Sequence, residues 1–494
     1  MDACTTEAQP APLDHAAIRT IIVGVMLAML LAALDQTIIG TALPTIGAEF
    51  GDLENLSWIV TAYLLTGTAV TPMVGKLADI HGPRPVLNGC IALFLVGSIV
   101  CALAPSMLWL IGGRAVQGLG GGGLIALAQT IIGLLVPPRE RGRYQVYFAA
   151  VFITSSIAGP ILGGFFAQHL HWSLIFWINV PLGIAAAAMS DRTLRRLPAH
   201  HHPRRLDVIG ALLMCAATVA LLLALSWGGT RFAWTSPQIL GLAAISAVIW
   251  LGFAVRVATA LEPLLPIAVL SNQVVRTGVP SAAFAMGTMV GLSIQMPLYL
   301  EGVVRLSASQ SGLALIPLMA GVVVGATGAS QVMSRVTHYK RLPVLGLVGG
   351  ILALLVLAYE PVNPPLWLYL VAMGVTGIGL GTVLPVSTVA IQNAVPLPQM
   401  GTATGLANFF RSLGSAILTA GFGAVVISMS GLEGSGSMET LLGGGQAGSE
   451  ALALAFRWVF LMAAAALTLS LIAMIAMQER PLRGHASPAA ALPE

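Results

Sequence analysis

Residues 21–43 read IIVGVMLAMLLAALDQTIIGTAL, an apolar run with a single charged residue, Asp35. A helix of about 20 apolar residues is long enough to cross the hydrocarbon core of a bilayer. A carboxylate inside such a helix costs roughly 2.5–3.5 kcal/mol even on the translocon-insertion scale, so residues of this kind usually have a function. The run therefore predicts a membrane-spanning helix in which Asp35 is a candidate to carry protons.

The rest of the chain has the composition of a membrane protein. Of its 494 residues, 57% are hydrophobic and 9% are charged, and its mean hydropathy is +0.89. We expect an all-α polytopic membrane protein, because a helix satisfies its own backbone hydrogen bonds in lipid. The first 20 residues lack the basic start and the small-residue cleavage site of a secretory signal, so no cleavable signal is expected.

Apolar stretches long enough to span a bilayer recur along the whole chain. We predict 14 transmembrane helices, with limits near 19–43, 56–75, 85–104, 107–135, 144–168, 172–190, 207–226, 238–257, 276–300, 309–331, 342–359, 365–389, 402–428 and 453–477. Basic side chains, such as Arg139 and Arg141, gather in alternate connections. By the positive-inside rule those connections are cytoplasmic, and so are the N and C termini.

A weak internal repeat divides the chain. Residues 112–144 and 374–411 each contain a glycine-rich helix, a Val-Pro step and a turn with a glycine. Related six-helix halves are typical of secondary transporters, whose substrate site lies between them. The predicted organisation is a cytoplasmic N-terminal tail at 1–18, an N-terminal six-helix half at 19–190, a cytoplasmic linker with two extra helices at 191–275, a C-terminal six-helix half at 276–477 and a cytoplasmic C-terminal tail at 478–494.

Asp35 and Arg114 are predicted to lie at similar depths on the first and fourth helices. Counted from the outer helix ends, both are roughly 10–14 Å below the outer surface at 1.5 Å per residue. We hypothesise that Asp35 binds either a proton or the solute, and that this competition couples inward proton movement to outward solute movement. Gln117 shares the face of Arg114 and either holds it, lines the cavity or packs. A buried Asp35–Arg114 pair that only fixes helix packing is the alternative.

Five short motifs occur in order within the first 185 residues. They are LDQTIIGTALP at 34–44, GKLADIHGPR at 75–84, GRAVQGLG at 113–120, AGPILGG at 158–164 and FWINVP at 176–181. With these motifs at the expected helix ends, the chain resembles the major facilitator superfamily and, within it, the fourteen-helix drug:proton antiporter family of multidrug efflux transporters. The resemblance implies a major facilitator fold, with two six-helix halves plus two extra helices.

The resemblance also implies roles for individual residues. It assigns proton coupling to Asp35, Arg114 and Gln117, a conformational latch to Gly75, Asp79, Gly82 and Arg84, and an antiporter hinge to Gly159, Pro160, Gly163 and Gly164. Asp79 is placed to bind a helix N-terminus in the other half. Ile80, Pro83 and Pro85 stand where the family often has a base, so the latch would be weaker or carried by Arg84. The alternatives are a loop that only orients the chain and glycines that only allow close helix packing.

Candidates for the solute cavity lie on the second, ninth and thirteenth predicted helices. They are Trp58, Thr61, Tyr63, Gln295, Met296, Tyr299, Asn408 and Arg411. Methionine, aromatic and amide side chains form an adaptable lining that suits varied amphipathic solutes. For each residue alone, packing or contact with lipid remains open. Arg411 lies deep in its helix and is a candidate to bind an anionic group or a helix carbonyl end. The second-half helices hold no acid well inside them, which argues against dications.

The predicted function is proton-coupled export of small amphipathic or lipophilic compounds, that is, multidrug efflux, by alternating access. The alternative within transport is export of a specific metabolite, siderophore-like or lipid-like. A channel or a sensor is the alternative of another class, but the sequence shows neither a filter loop nor a soluble signalling domain. It also shows no Walker loop or catalytic triad, so we do not expect an enzyme.

We expect no cofactor and no metal site. The run His200-His201-His202 suggests a metal, but it lies in an arginine-rich linker without acidic or cysteine partners. The expected partners are a small-molecule substrate, protons and the lipid bilayer, with no nucleic acid. The expected location is a bacterial inner membrane. Whether a periplasmic adaptor is needed stays open.

Overall fold

The computed structural model describes residues 15–52, 54–195, 205–229, 231–336, 338–359, 361–362, 365–429 and 445–482. The predictions made for His200-His201-His202 and for most of both tails lie outside these residues. The described part of the chain is built from helices, and its only strand-like pairing is an isolated bridge between Gly228 and Phe232. It is therefore an all-α protein, as predicted.

Among the described residues, 14 helices are long and apolar enough to cross a membrane, the number predicted from the sequence. The spans lie on α1 His15–Phe50, α2 Trp58–His81, α3 Pro83–Ala102, α4 Met107–Leu135, α5 Pro138–His169, α6 Asn179–Leu194, α7 Val208–Trp227, α8 Pro237–Thr259, α9 Gln273–Gly302, α10 Ile316–Arg335, α11 Arg341–Tyr359, α12 Leu366–Ala394, α13 Met400–Met429 and α14 Gly445–Ala476. The sixth span, Leu174–Arg192, includes the short helix before α6. Short helices, Leu174–Trp177 and Ala308–Ala314, precede α6 and α10.

Helix α5 begins at Pro138, earlier than the predicted limit at 144. A proline suits the first helical turn, where its missing N–H has no intrahelical role. Arg141 then lies on the helix and not in a loop. Its Nε donates to the carbonyl of Val136 at 2.7 Å, and its Nη2 donates to the carbonyl of Gly133. The buried guanidinium thus caps the carboxyl end of α4, which explains why a basic segment is helical here.

Each six-helix half has its own hydrophobic core. The core of α1–α6 includes Leu31, Phe94 and Leu127, and the core of α9–α14 includes Leu354 and Phe460. These two separate cores are what two helical bundles require, since each helix buries an apolar face against its neighbours. The residue limits assigned to the halves from the sequence stay predictions.

The halves meet mainly through two helix pairs, α2 with α13 and α5 with α10, and α4 also contacts α13. We call the end of the bundle that holds the α2–α3, α4–α5 and α10–α11 connections the basic end. There, a Cβ on Gly75 would overlap the carbonyl oxygen of Gly401, and a Cβ on Gly142 would lie 2.7 Å from the carbonyl oxygen of Ser330. Backbone-to-backbone approach this close needs glycine, so the two halves are closed against each other at the basic end.

The two extra helices, α7 and α8, form a hairpin that bridges the halves on the side of α2 and α13. Met214 of α7 and Phe253 of α8 share a buried cluster with Ala407 of α13, and the Cys215 thiol donates to the carbonyl of Ala69 on α2 at 3.3 Å. Asp207 caps α7 and pairs with Arg256 at 3.0 Å. The hairpin therefore covers one seam between the halves.

Candidate functional site

Asp35 lies on α1 inside the N-terminal half, where its side chain is 1% exposed. Its Oδ2 accepts a hydrogen bond from Nη1 of Arg114 at 2.5 Å. Its Oδ1 accepts from Nε2 of Gln117 at 2.7 Å and from Nδ2 of Asn179 at 3.1 Å. Burying a charge is costly unless it is paired and hydrogen-bonded. Here the carboxylate has an ion pair and two amide donors, so the contact with Arg114 is direct.

Arg114 of α4 is as buried as its partner, with 1% of its side chain exposed. Its Nε donates to the carbonyl of Ile59 at 2.9 Å, and its Nη1 also donates to Oε1 of Gln117 at 2.6 Å. The guanidinium lies over the ring of Tyr63, 4.4 Å from the centroid, which is cation–π geometry. Tyr63, predicted as a cavity residue, is therefore packed against the charged pair.

Two residues of this site were not predicted from the sequence. Asn179 begins α6 and donates to Ser98 at 3.3 Å as well as to Asp35, and Ser98 of α3 accepts from Gln117 at 2.8 Å. A Cβ on Gly97 would overlap the backbone of Gln117, so glycine is what lets α3 approach α4 here. Asn179 stands inside the motif at 176–181, which was the available signal. Ser98 has no signal in the sequence.

We call Asp35, Ser98, Arg114, Gln117 and Asn179 the Asp35 cluster. Both carboxylate oxygens are occupied and buried, so a solute has no access to Asp35 in this conformation. A proton on Asp35 would neutralise the carboxylate. Arg114 would then keep neutral acceptors at Gln117 and Ile59 and the ring of Tyr63. Direct competition between proton and solute would require the cluster to open.

Asp79, at the basic end of α2, binds the first turn of α13 in the other half. Its Oδ1 accepts from the backbone N–H of Gly401 at 2.7 Å. Its Oδ2 accepts from the N–H of Thr402 at 2.7 Å and from the Thr402 hydroxyl at 2.6 Å. The first N–H groups of a helix have no partner within the helix and favour an anion. Asp79 therefore joins the two halves where they are closed.

Arg84 does not take part in this contact. Its guanidinium pairs with Asp191 of α6 at 2.7 Å, and Asn88 of α3 donates to the same carboxylate at 3.0 Å. The contacts of Arg84 thus lie within the N-terminal half, and a latch role for Arg84 stays a prediction. Arg84 lies in the first turn of α3, from which it reaches α6 and not α13. Gly82 has φ +84°, a conformation that lets the chain reverse in one residue between α2 and α3.

The four glycine and proline residues of α5 fall into two pairs. A Cβ on Gly159 would overlap the hydroxyl of Thr37, and one on Gly163 would overlap the carbonyl oxygen of Ile38, so both face α1. A Cβ on Gly164 would meet nothing within 4 Å, and Pro160 is exposed. Helix α5 continues through Pro160 from Pro138 to His169. The structure shows tight α1–α5 packing here, and the hinge stays a prediction.

The glycines of α5 offer a matched pair of substitutions. Gly163→Ala is expected to lower stability by about 1–3 kcal/mol, because the added methyl meets backbone that cannot move aside. Gly164→Ala is expected to be neutral or to stabilise by up to about 1 kcal/mol, as alanine does in a helix. Thermal unfolding of the purified variants in detergent measures both. Equal melting temperatures for the two variants would contradict close α1–α5 packing.

Two predicted cavity residues, Met296 and Tyr299, lie in the core of the C-terminal half. Both are fully buried. The Tyr299 hydroxyl donates to the carbonyl of Pro361 at 2.9 Å, and its ring packs against Phe456 and Phe460 of α14. In this structure both side chains lie away from any cavity, because this face of α9 packs on α14 and α12, and their cavity role stays a prediction. Helical spacing alone does not distinguish a core-facing stripe from a cavity-facing one.

The remaining candidates on α2 and α9 are partly exposed. Trp58 packs against Trp227 of α7 with ring centroids 5.8 Å apart, so it contacts the extra hairpin. The Thr61 hydroxyl donates to the carbonyl of Ser57 in its own helix at 2.9 Å. Gln295 lies beside Gly423 of α13. These contacts leave the cavity role of all three as a prediction.

Asn408 belongs to a polar seam between the halves, formed by Gln129, Gln392, Thr404 and Asn408. Nδ2 of Asn408 donates to Oε1 of Gln129 at 2.8 Å. Nε2 of Gln392 donates to the carbonyl of Gln129 at 3.1 Å and to the hydroxyl of Thr404 at 3.2 Å. Gln129 lies on α4 and the others lie on α12 and α13, so hydrogen bonds cross from one half to the other. Arg411 follows Asn408 by three residues on α13.

Comparison with known proteins identifies relatives across most of the chain. Residues 25–419 match the family model of the Major Facilitator Superfamily. The chain is 38% identical over 408 residues to an uncharacterized MFS-type transporter of Mycobacterium tuberculosis, covering 81% of the chain but 58% of that relative's length. It is 35% identical over 417 residues to the multidrug transporter protein MdtP of Bacillus subtilis, covering 83% of the chain and 76% of the relative. Multidrug resistance protein 3 of the same organism is 31% identical over 412 residues, covering 83% and 80%.

Solved structures agree on the fold. A bacterial homologue of the iron transporter ferroportin in an outward-facing state superposes with a TM-score of 0.64 at 13% identity, covering 93% of this chain and all of that one. The human organic anion transporter MFSD10 gives 0.63 at 14% identity, covering 91% and 99%. At such low identity the likeness shows the fold alone.

Proposed function

Because the chain belongs to the major facilitator superfamily, we propose that this membrane transporter is a proton-coupled exporter of small amphipathic or lipophilic compounds. The observation that carries the proposal is the Asp35 cluster, a fully buried carboxylate held by one arginine and two amides. Intramembrane ionisable groups of this kind mark proton relays in transporters. The relatives described as multidrug transporters support small lipophilic compounds as the cargo.

The orientation of the protein in the membrane is assigned from the charge of the connections. Basic connections face the cytoplasm under the positive-inside rule, so we assign the basic end to the cytoplasmic side. The halves are closed there through Gly75–Gly401 and through Asp79. The conformation is then closed to the cytoplasm, and it is the state in which cargo leaves outward and Asp35 takes up a proton. This orientation also puts both termini in the cytoplasm.

Protonation of Asp35 is the step that allows the protein to reopen toward the cytoplasm. A neutral Asp35 no longer attracts Arg114 as an ion, so the charge that ties α1 to α4 is lost. The halves then rock apart at the basic end as Asp79 leaves the first turn of α13. The proton leaves to the cytoplasm, cargo enters the cavity and the charged pair forms again. Each cycle therefore exchanges protons moving inward for a solute moving outward.

The direct test uses inside-out membrane vesicles with an acidified lumen and a dye that reports the pH gradient. A panel of lipophilic dyes and antibiotics is added to vesicles with and without the protein. We expect at least one compound to collapse the gradient only where the protein is present, since its uptake releases lumenal protons. Uptake of a compound without proton movement would overturn the coupling. If a metabolite extract acts and no panel compound does, the cargo is a specific metabolite.

A further inference from the structure

Arg411 is a buried arginine that the proton-coupling scheme does not use. It lies on α13 at the same helical face as Asn408 and Ser415, and it is 7% exposed. Its Nη2 donates to the hydroxyl of Thr388 at 2.6 Å and to the carbonyl of Leu384 at 3.3 Å. Both acceptors are uncharged and lie on α12. Nε of Arg411 is buried and has no hydrogen-bond partner.

In the part of the chain that the structure describes, Arg411 has fewer polar partners than Arg114 and no counter-ion. Arg114 has a carboxylate, an amide oxygen, a carbonyl and an aromatic ring around it. A guanidinium offers five N–H donors and always carries its charge. Within the described residues, Arg411 forms no ion pair with any carboxylate. Glu301, an acid of the same half, lies at the outer end of α9 and binds Ser311 instead.

The charge balance of the membrane domain also favours a bound anion next to Arg411. Asp35 and Arg114 neutralise each other when Asp35 is ionised, so Arg411 leaves one positive charge uncompensated between α12 and α13. A proton on Asp35 adds to that positive charge. A buried cation that lacks a counter-ion is expensive, and a bound anion would remove that cost. Arg411 also lies next to the polar seam, where the halves separate when the basic end opens.

We propose that Arg411 binds a carboxylate of the transported solute, so that amphipathic organic acids are preferred over their neutral or cationic analogues. The inference rests on the proposed export function and names its substrate class. Nε, together with the Nη2 hydrogen that now makes the long bond to Leu384, presents the planar fork that a carboxylate accepts with two parallel hydrogen bonds. Thr388 would keep the guanidinium in place, and the apolar part of the solute would lie in the space that opens between the halves.

The test measures binding to the purified full-length protein in phosphatidylcholine nanodiscs. The probes are pairs of a radiolabelled acid and its primary amide, from 4-phenylbutyrate to 1-pyrenebutyrate. Wild type is expected to bind the acid of a pair about tenfold or more tightly than the amide, as a charge-assisted hydrogen bond allows. Arg411→Gln is expected to bind both members of the pair equally. Arg411→Lys is expected to keep part of the preference, because it keeps the charge but loses the fork.

Arg457→Gln is the matched control, since Arg457 is an exposed arginine on α14 of the same half. It is expected to keep the preference for the acid. The inference is overturned if no acid binds more tightly than its amide in wild type, or if Arg411→Gln retains the difference. Nanodiscs that contain phosphatidylglycerol test whether the anion bound by Arg411 is a lipid headgroup and not a solute. If that lipid removes the acid preference of wild type, the site belongs to lipid headgroups and the proposal is overturned.

The result of this binding test can be told apart from the result of the export test. Binding in nanodiscs does not depend on a proton gradient. A preference for acids that is lost in Arg411→Gln, together with no proton movement in vesicles, would keep this site and overturn proton coupling. Equal proton movement with amides and with acids would keep proton coupling and overturn the role of Arg411 in selecting acids.

Discussion

The substitution Asp35→Asn is expected to reduce compound-driven proton movement to the level of vesicles without the protein. An asparagine cannot take up or release a proton, and it leaves the positive charge of Arg114 buried without a counter-ion. Its amide oxygen still accepts a hydrogen bond from Arg114, so the fold has a means to persist. Solute exchange down a concentration gradient needs no proton and is expected to continue. Parallel assays of exchange and of proton movement separate the two.

Asp207→Asn is the matched control for this substitution. Asp207 is also a buried carboxylate paired with an arginine, Arg256, but it lies in the extra hairpin outside both halves. Losing one partner of a buried pair costs about 3–5 kcal/mol. Both variants are expected to lose stability, Asp207→Asn by less, because the Arg256 side chain is 37% exposed. Only Asp35→Asn is expected to lose coupling. If Asp207→Asn lost coupling to the same extent at equal expression, the effect would be one of stability.

The second large effect is expected from Asp79→Asn, which should favour opening at the basic end. Asp79 accepts three hydrogen bonds from the first turn of α13, and each bond to a charged acceptor contributes roughly 1.5–3 kcal/mol. An amide loses the charge, and its NH2 group faces N–H donors where an oxygen stood. We expect the population open at the basic end to rise about tenfold or more.

A single cysteine reports this opening. Thr404→Cys, in a protein whose four native cysteines are replaced by serine, puts a thiol at the buried seam between the halves. Its rate of labelling by a membrane-impermeant maleimide from the basic end should rise with Asp79→Asn. Arg84→Gln is the control on the neighbouring turn, and since Arg84 binds Asp191 it should leave the rate unchanged. Equal rates in all three proteins would show that Asp79 does not hold the halves together.

How far the sequence predicts this molecule depends on the kind of signal. The number of helices follows from hydropathy, because each span must be apolar over the same thickness of membrane. The common depth of Asp35 and Arg114 follows from counting residues along straight helices, and the structure shows the two in contact. Helix limits were less accurate at α5, where Pro138 and the capping side chain of Arg141 extend the helix into a basic segment.

Contacts between helices were the part that sequence reasoning missed. Ser98 reaches Gln117 only because Gly97 brings α3 against α4, a relation that no local pattern encodes. Tyr299 has the composition of a cavity residue, yet its partners come from α12 and α14, far away in sequence. Arg84 lies close to Asp79 along the chain but extends in the direction set by α3. Side-chain direction depends on helix packing, which the pattern of one helix does not reveal.

The central claim is that export is coupled to protons through Asp35. Its most direct test is proton flux in proteoliposomes that contain a gradient of one transported compound and no initial pH gradient. We predict that the compound, moving down its gradient, drives protons in the opposite direction in wild type and not in Asp35→Asn. Compound movement without proton flux in wild type, or the same flux in both proteins, would contradict the account.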